Sequence, residues 1–419
     1  MASTDKLLDT VSWRLCLGCG VCSAISGTPL LDYEAEGIRP KPEGTAFHGC
    51  PLAAAATKGL SKPSELEWGQ ILEIWEGHAT DEQIRFNGSS GGALTALAAY
   101  CIEQAGMHGV LHVAQDAEDP IRNRTRLSRT RRELLEAVGS RYSPGSVGNG
   151  LRLVAESPAP CVVIGRPAEI AAIERSRKAI PNLDENIGVT LSFFCAEAPS
   201  TRGTKSLLSK LSVEEKKVVD LKYRGQGWPG HFAPTLKGAK EPAVKVTYQE
   251  SWAYLQAFRP WATHLWPDGS GESADISCGD PWYEKPDGKN PGSSLIVVRT
   301  ERGRRILKGA IDSGYLQLTP AEFWKLEKSQ ANLLSKKGAV WGRIMAMKLF
   351  GLPVPKHDMR ALFHCWKKLS FKEKLQSTLG TVQRILKRKL YRKLVLDEKT
   401  AVPVRPAYIS SEANSNQSA

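Results

Sequence analysis

The chain has 419 residues, enough for two or three domains, and a formal net charge of +13. Nine cysteines in a chain this long exclude a disulfide scaffold and fit a reducing compartment, where thiols stay free. The first fifteen residues lack the apolar core of a signal peptide, and no apolar run is long enough to span a bilayer, so we predict a cytoplasmic protein.

A run of three cysteines near the start of the chain is the most informative local pattern. Cys16, Cys19 and Cys22 are spaced three residues apart on a glycine-containing turn, and Cys50 follows later, directly before a proline. This is the ligand pattern of a cubane [4Fe–4S] cluster, which takes three corners from one loop. Zinc bound by four thiolates and four unrelated core cysteines are the alternatives. We predict one [4Fe–4S] cluster in a small ferredoxin-like segment, residues 1–65.

Short apolar runs then alternate with helical patterns. The predicted helices cover residues 93–105, 131–138, 168–178 and 302–313, and the predicted strands cover residues 109–113, 161–164, 189–194 and 295–299. Strands that alternate with helices predict an α/β (α+β) fold with a mainly parallel sheet. We predict two α/β domains here, over residues 71–205 and 206–350.

The end of the chain, residues 351–419, is predicted to be a basic helical extension with a polar, disordered tail from residue 401. Over residues 361–395, apolar residues recur at helical spacing between lysines and arginines. Such a helix can lie on an anionic membrane surface, or its apolar stripe can pack on the body of the protein. No nucleic-acid motif accompanies the positive charge, so we expect no nucleic-acid partner.

A glycine-rich segment directly before the first of these predicted helices is a candidate anion site. This glycine loop, residues 87–92, contains Ser89, Ser90, Gly91 and Gly92. Small residues let backbone N–H groups approach an anion at a helix N-terminus. An ordinary serine N-cap beside flexible glycines has the same pattern.

A second candidate is the turn at residues 165–169, where a buried strand ends and a helix begins. Open α/β sheets place ligands at such turns, although a plain loop with proline at the helix start has the same pattern. No G-x-G-x-x-G fingerprint follows a predicted strand, so we do not predict a Rossmann dinucleotide site.

The order of these pieces resembles the beta-subunit family of coenzyme F420 (deazaflavin) hydrogenases and dehydrogenases. That family includes 7-hydroxymethyl chlorophyll reductases and bacterial members encoded near polysaccharide-biosynthesis genes. The matching stretches are residues 16–22 with 50–51, 89–97, 139–143, 163–170, 221–230, 274–280 and 298–303.

The resemblance implies an iron–sulfur flavoprotein oxidoreductase that acts on CH or CH2 groups. Electrons would pass between the [4Fe–4S] cluster, a bound FAD and an organic substrate or redox coenzyme, with a ferredoxin-like protein as an electron donor. Two other functions stay open, namely a non-enzymatic accessory protein of polysaccharide biosynthesis and an electron-transfer subunit of a larger complex.

The resemblance also assigns site residues. The residues that would contact the flavin are Ser89, Ser90, Gly91, Gly92, Tyr142, Arg166, Pro167, Arg224 and Gly225. For proton transfer we choose His231, ahead of Tyr142 and Asp280, because imidazole has a suitable unperturbed pKa. The alternative for His231 is an ordinary surface histidine.

The chain departs from the family pattern where many members carry cysteines for a second cluster. Ala168, Thr263 and Trp266 stand at such positions, and Cys195 alone remains. Because one thiolate cannot hold a cubane, we expect a single cluster. This departure puts in doubt both use of the deazaflavin coenzyme and a longer electron chain to a hydrogenase partner.

Overall fold

The structure is a computed structural model that describes residues 5–41, 50, 62–286 and 290–410. Its strands are β1 (Leu30–Tyr33), β2 (Gly37–Pro40), β3 (Glu73–Ala79), β4 (Val110–Gln115), β5 (Asn123–Ser128), β6 (Cys161–Gly165), β7 (Ile187–Phe193), β8 (Val218–Lys222), β9 (His231–Leu236), β10 (Val246–Thr247), β11 (Ile276–Gly279), β12 (Ser294–Val298), β13 (Leu316–Pro320), β14 (Val402–Pro403) and β15 (Tyr408–Ile409).

Its α-helices are α1 (Asp5–Ser12), α2 (Val21–Ser26), α3 (Pro63–Trp68), α4 (Glu82–Asn87), α5 (Ala93–Glu103), α6 (Arg131–Glu136), α7 (Leu151–Ala155), α8 (Pro167–Glu174), α9 (Leu183–Asn186), α10 (Thr201–Lys210), α11 (Tyr248–Leu255), α12 (Glu301–Asp312), α13 (Phe323–Ser329), α14 (Ala331–Leu349), α15 (Met359–Lys367) and α16 (Phe371–Lys387). The helices and strands predicted between residues 93 and 313 are therefore confirmed, with ends that shift by a few residues.

A nine-stranded sheet organises the molecule, in the order β13-β3-β12-β11-β7-β6-β4-β5-β15. Strands β11, β7, β6 and β4 run parallel, whereas β12, β3 and β13 on one side and β5 on the other add antiparallel pairs. The fold class α/β is confirmed, but the sheet is mixed and not mainly parallel. One reason is the short loop that joins β4 to β5, because strands joined by a short loop can pair only in the antiparallel direction.

The core lies on both faces of this sheet. Successive residues of β6 face opposite sides, since Val162 packs in one buried cluster with Val110 of β4 and Val163 packs in another with Leu111. A strand that is buried on both faces has a continuous apolar run, which is why β6 was predictable. Helix α5 covers one of these faces.

A smaller antiparallel sheet, β10-β9-β8, packs with α10 and α11 around its own buried cluster. The predicted boundary between residues 205 and 206 does not separate two sheets, because β11, β12 and β13 join the large sheet that begins with β3. How the chain divides into domains stays a prediction.

The end of the chain contributes strands to the fold. Strand β14 pairs with β1, opposing Pro403 to Leu31, and β15 pairs with β5, opposing Tyr408 to Arg126. The prediction of a disordered tail from residue 401 is therefore wrong for these strands. Each has only two residues, too few to show the alternating pattern that predicts a strand. Residues 411–419 lie outside the described part.

The basic extension forms two helices, α15 and α16, where one helical stretch was predicted. Ser370 separates them because its hydroxyl caps α16, accepting from the Glu373 amide at 3.3 Å, while the Glu373 carboxylate accepts from the Ser370 amide at 2.9 Å. None of the helices in the described residues has both the length and the apolar character to cross a membrane.

Candidate functional site

The cysteine run lies where α1 leads into α2. Cys16 and Cys19 are on the connecting loop, Cys22 is in the first turn of α2, and all three are buried. Gly18 shapes the loop, since its φ is 70° and a Cβ there would lie 2.5 Å from the carbonyl oxygen of Ile38. The loop is thus pressed against β2 in a conformation that favours glycine.

The fourth cysteine, Cys50, is half-buried and reaches the same place. Burial, with the neighbouring thiols of Cys50, Cys22 and Cys16, raises the pKa of Cys19 well above its ordinary value. Burial and the thiols of Cys16 and Cys50 raise the pKa of Cys22 to about 12. The structure therefore brings the four predicted ligands together; the proline after Cys50 lies outside the described residues.

In the described residues, no group of three or more His, Cys, Asp or Glu side chains is arranged to hold a metal ion. Four thiolates could serve a cubane, in which each holds one iron corner, or a zinc ion. Since ligand thiols must be deprotonated, metal binding here would release protons.

A small cleft of about 20 Å³, roughly the space of one water molecule, lies beside the cysteine loop. Its lining includes Cys16, Ile38, Gly145, Arg166 and Thr263. The cleft thus connects the ligand cysteines with one of the turns predicted to contact a cofactor.

Arg166 is a fixed positive charge in the wall of this cleft. Its guanidinium donates to Glu169 and Glu197, each at 3.1 Å, and to the carbonyl oxygen of Gly145 at 3.0 Å. Burial opposes the charge, but the two carboxylates raise the pKa of Arg166 above its ordinary value. Pro167 is the first residue of α8. Because most of the guanidinium donors are already engaged, the turn shapes the cleft and holds its wall in place.

The glycine loop connects α4 to α5 and is tied down by two serines outside it. The hydroxyl of Ser89 accepts from the amide of Ser140 at 2.7 Å. The hydroxyl of Ser294 accepts from the Gly91 amide at 2.9 Å and lies 2.8 Å from the hydroxyl of Ser90. Both predicted serine contacts are therefore bonded within the protein, so the loop is held in one conformation.

Close packing explains the glycines of this loop. Gly92 precedes α5 with a φ of 74°, and no side chain caps the helix there. A Cβ on Gly91 would lie 2.6 Å from the carbonyl oxygen of Gly77, and one on Gly92 would lie 2.8 Å from that of Ile84. The N-terminus of α5 is thus uncapped by side chains, which suits an anion or a polar cofactor group.

The loop at residues 224–230 packs on the glycine loop. A Cβ on Gly225 would lie 2.5 Å from the carbonyl oxygen of Asn87, and the Gly227 amide donates to the carbonyl oxygen of Phe86 at 2.8 Å. Two stretches predicted to contact one cofactor, far apart in sequence, therefore meet in the structure.

A buried ion pair anchors this second loop, the Arg224 loop. Arg224 donates to both carboxylate oxygens of Asp280, at 2.9 and 2.7 Å, and to the carbonyl oxygen of Pro229 at 2.9 Å. The indole of Trp228 donates to the same carboxylate at 2.9 Å. Although burial opposes the charge, Asp280 raises the pKa of Arg224 above its ordinary value. Asp280 is thus committed to positioning Arg224, which makes it a weak candidate for proton transfer.

Aromatic rings extend from this ion pair. Trp282 stacks between Trp228 and Tyr248, with ring centroids 5.3 and 5.5 Å apart. Tyr142 continues the group, 6.1 Å from Tyr248 and 5.0 Å from Trp252. Burial raises the pKa of Tyr142, so its phenol is neutral at physiological pH. Half-buried rings beside a fixed cation offer faces on which a planar cofactor can stack.

His231 stands apart from this group. It is the exposed first residue of β9 and pairs with Thr247 of β10. The adjacent backbone does reach the site, since a Cβ on Gly230 would lie 2.5 Å from the amide nitrogen of Gly225. The role of His231 in proton transfer stays a prediction.

Three residues that hold the site together were missed from the sequence. They are Ser140, Ser294 and Tyr248. Ser294 carried a usable signal, because a Gly- and Ser-containing turn at residues 290–294 leads directly into a buried strand, as the glycine loop leads into a helix. Ser140 lies in the matching stretch 139–143, two residues before Tyr142, whereas for Tyr248 we find no comparable signal.

At the positions where many family members carry cysteines for a second cluster, the residues of this chain pack in the core or form hydrogen bonds. Ala168 and Trp266 share one buried apolar cluster, and the hydroxyl of Thr263 donates to the carbonyl oxygen of Pro260 at 2.7 Å. Burial, with Glu197 nearby, raises the pKa of Cys195 to about 12. Cys195 thus has the character of a protonated, structural thiol.

Comparison with known proteins identifies the family. Residues 74–152 match the model for the N-terminal part of the coenzyme F420 hydrogenase/dehydrogenase beta subunit, and residues 160–323 match the model for its C-terminal part. The chain belongs to this family. The matched ranges contain the glycine loop, the Arg224 loop and Asp280, whereas the cysteine run precedes them.

The relatives are named as oxidoreductases. The chain is 26% identical over 300 residues to coenzyme F420 hydrogenase subunit beta of Methanococcus voltae, covering 69% of this chain and 100% of that one. It is 23% identical over 329 residues to a coenzyme F420-dependent sulfite reductase of Methanocaldococcus jannaschii, covering 73% of this chain and 47% of that one. A chain in a structure of the F420-reducing [NiFe] hydrogenase complex from Methanosarcina barkeri shares the fold, with a TM-score of 0.53 and 20% identity. The match covers 67% of this chain and 96% of that one.

Proposed function

We propose that this chain is an oxidoreductase in which a [4Fe–4S] cluster exchanges electrons with a planar redox cofactor. One observation carries the proposal: four thiols converge beside a small cleft whose lining includes Gly145, a residue of the same loop as Tyr142. That loop links the cysteine segment to the aromatic group and the glycine loop. The oxidoreductases among the relatives support the same class of function.

The cluster would be held by Cys16, Cys19, Cys22 and Cys50, and it would supply one-electron transfer when bound. The second cofactor would lie between the glycine loop and the Arg224 loop. There the fixed cation and the uncapped start of α5 would face its negative groups, and the rings would pack on its plane.

The identity of the second cofactor divides into two hypotheses. Our family resemblance implies FAD, whereas the names of the relatives refer to coenzyme F420. We favour a resident FAD with a small organic substrate or coenzyme as its reaction partner. Whether the reaction occurs at a CH or CH2 group, and whether a ferredoxin-like protein donates the electrons, belongs to the same proposal.

The decisive experiment is purification without oxygen followed by iron, flavin and absorbance analysis. We expect brown-yellow protein with about four irons per chain and one flavin. Cys19→Ala should lose the iron and the cluster absorbance, because one corner loses its ligand. The matched control is Cys101→Ala, which changes a buried cysteine near the end of α5 and should retain both cofactors.

Colourless wild-type protein without iron or flavin would contradict the proposal and favour a non-enzymatic accessory role in polysaccharide biosynthesis. A second candidate function is an electron-transfer subunit, which the word "subunit" in the names of relatives favours. Reduction of the purified chain by NAD(P)H or by reduced coenzyme F420 alone would favour a self-sufficient enzyme. Reduction only after a partner protein is added would favour the subunit.

A further inference from the structure

Helix α16 carries an apolar stripe that faces solvent. Phe371, Leu375, Leu379 and Leu386 are between 40% and 77% exposed. Their spacings of four, four and seven residues place them on one side of the helix. In a folded chain, a contiguous stripe of large apolar residues of this kind marks an interaction surface.

The stripe is not the side by which α16 attaches to the protein. The buried side consists of Ser377, Thr381 and Ile385, which face the body. The helix approaches α14 closely there, because a Cβ on Gly342 would lie 2.3 Å from the hydroxyl of Ser377. Ser377, Thr381 and Ile385 thus make the attachment, and the exposed apolar residues of the stripe are left for another contact. The sequence left two alternatives for the basic helix, contact with a membrane surface and packing on the body of the protein. In the structure one side of α16 packs on the body, and a different side carries the exposed apolar stripe.

Positive charge surrounds the stripe. Between residues 356 and 395 the chain has 12 Lys and Arg but only 2 Asp and Glu. Lys372 and Lys387 of the same helix and Arg388 directly after it are exposed. An open groove next to them is lined by Gln376, Gly380, Gln383, Arg384, Lys387 and Arg388. The occupant should therefore combine an apolar layer with a dense negative surface.

We propose that α16 docks this protein on the surface of an anionic phospholipid bilayer. The leucines and Phe371 would enter the boundary between headgroups and acyl chains, and the flanking lysines and arginines would contact lipid phosphates. Charge complementarity selects this occupant, since a bilayer offers an apolar interior below a negatively charged surface. It does so along the whole stripe, which spans about 22 Å. The helix would lie in the plane of the interface.

The test is flotation of the full chain with lipid vesicles. We expect binding to vesicles of phosphatidylcholine mixed with phosphatidylglycerol, and little binding to pure phosphatidylcholine. Leu379→Glu should weaken binding at least about tenfold, because an inserted leucine is lost and a repelled charge is added. Lys387→Glu with Arg388→Glu should weaken it similarly, and added salt should do the same for the wild type.

The matched control is Val219→Glu, which introduces the same charge at an exposed apolar residue of β8 and should bind as the wild type does. Equal binding to neutral vesicles would overturn the proposal, and so would no binding to either kind. A dimer in solution that Leu379→Glu dissociates would also overturn it, by assigning the stripe to a second copy of the chain.

Discussion

Single glycines determine how closely the two loops of the candidate cofactor site can meet. Gly225 adopts a φ of 102°, and a Cβ there would lie 2.5 Å from the carbonyl oxygen of Asn87 at the start of the glycine loop. Real side chains avoid so short a separation, so one of the two backbones would have to move. The matched case is Gly238, with a φ of 82° and nothing within 4 Å of its Cβ position.

We expect Gly225→Ala and Gly238→Ala to share a strain of about 1 kcal/mol from the left-handed backbone. Gly225→Ala alone should lose a further 1–3 kcal/mol, approximately, from overpacking, and should also weaken cofactor retention. Urea unfolding and flavin content measure the two effects. Equal losses for both variants would show that the two loops do not constrain each other.

A buried histidine sets a pH limit on stability. His112 of β4 donates from Nδ1 to the carbonyl oxygen of Val113 at 3.0 Å, and its Nε2 accepts from the Ser128 hydroxyl at 2.8 Å. Burial, with Arg126 nearby, lowers the pKa of His112 from 6.5 to about 4. The unfolded state therefore binds the proton first, so stability is complete above pH 6.5 and falls as the pH decreases toward 4.

The full effect of this histidine is about 3 kcal/mol. In His112→Gln, the free energy of unfolding should depend less steeply on pH between 6.5 and 4. His231→Gln, at an exposed position, should keep the wild-type slope. Denaturant unfolding over this pH range is the measurement, and an unchanged slope in His112→Gln would contradict the assignment.

Among the elements, the short C-terminal strands tie distant parts of the chain together. Strand β14 completes the small sheet of β1 and β2, and β15 covers the edge of β5. Arg124 lies 4.2 Å over the ring of Tyr408, and Arg405 pairs with Asp116 at 3.3 Å. The cysteine segment is thus held partly by residues that follow it by more than 350 positions.

A chain that ends at residue 400 should expose the edges of β1 and β5. Loss of these pairings should lower the local opening free energy of β1 by about 1–3 kcal/mol. Amide exchange in β1 and β2 should accordingly accelerate roughly tenfold or more. A chain that ends at Ser410 is the control, and equal exchange rates in both would count against a tying role.

Elements with strong periodicity or continuous apolar runs were predictable, and short pairings were not. The apolar runs of β6 and β12 and the helical pattern of α5 decide their own structure locally. By contrast, β14 and β15 have two residues each, and only distant partners make them strands. The direction of β12 in the sheet likewise depends on the connection from β11 and not on its own residues.

For the whole molecule, the convergence of the cysteines could be expected from the sequence, and the candidate cofactor site only partly. Three of the cysteines are close in sequence, so their spacing alone indicates a candidate metal centre. The candidate cofactor site joins the glycine loop, the turn at residues 139–142, the Arg224 loop, Asp280 and the turn at residues 290–294. Contacts between such distant stretches depend on tertiary packing, which sequence periodicity does not report.

The pairing of β14 with β1 has a consequence for biosynthesis. A ribosome makes strand β1 about 370 residues before strand β14, which completes its sheet. Until residue 403 has emerged, the nascent segment has an open sheet edge at β1. Insertion of iron and sulfide beside the completed sheet would thus follow the synthesis of residue 403, and slower elongation just before that residue should delay maturation of the metal site.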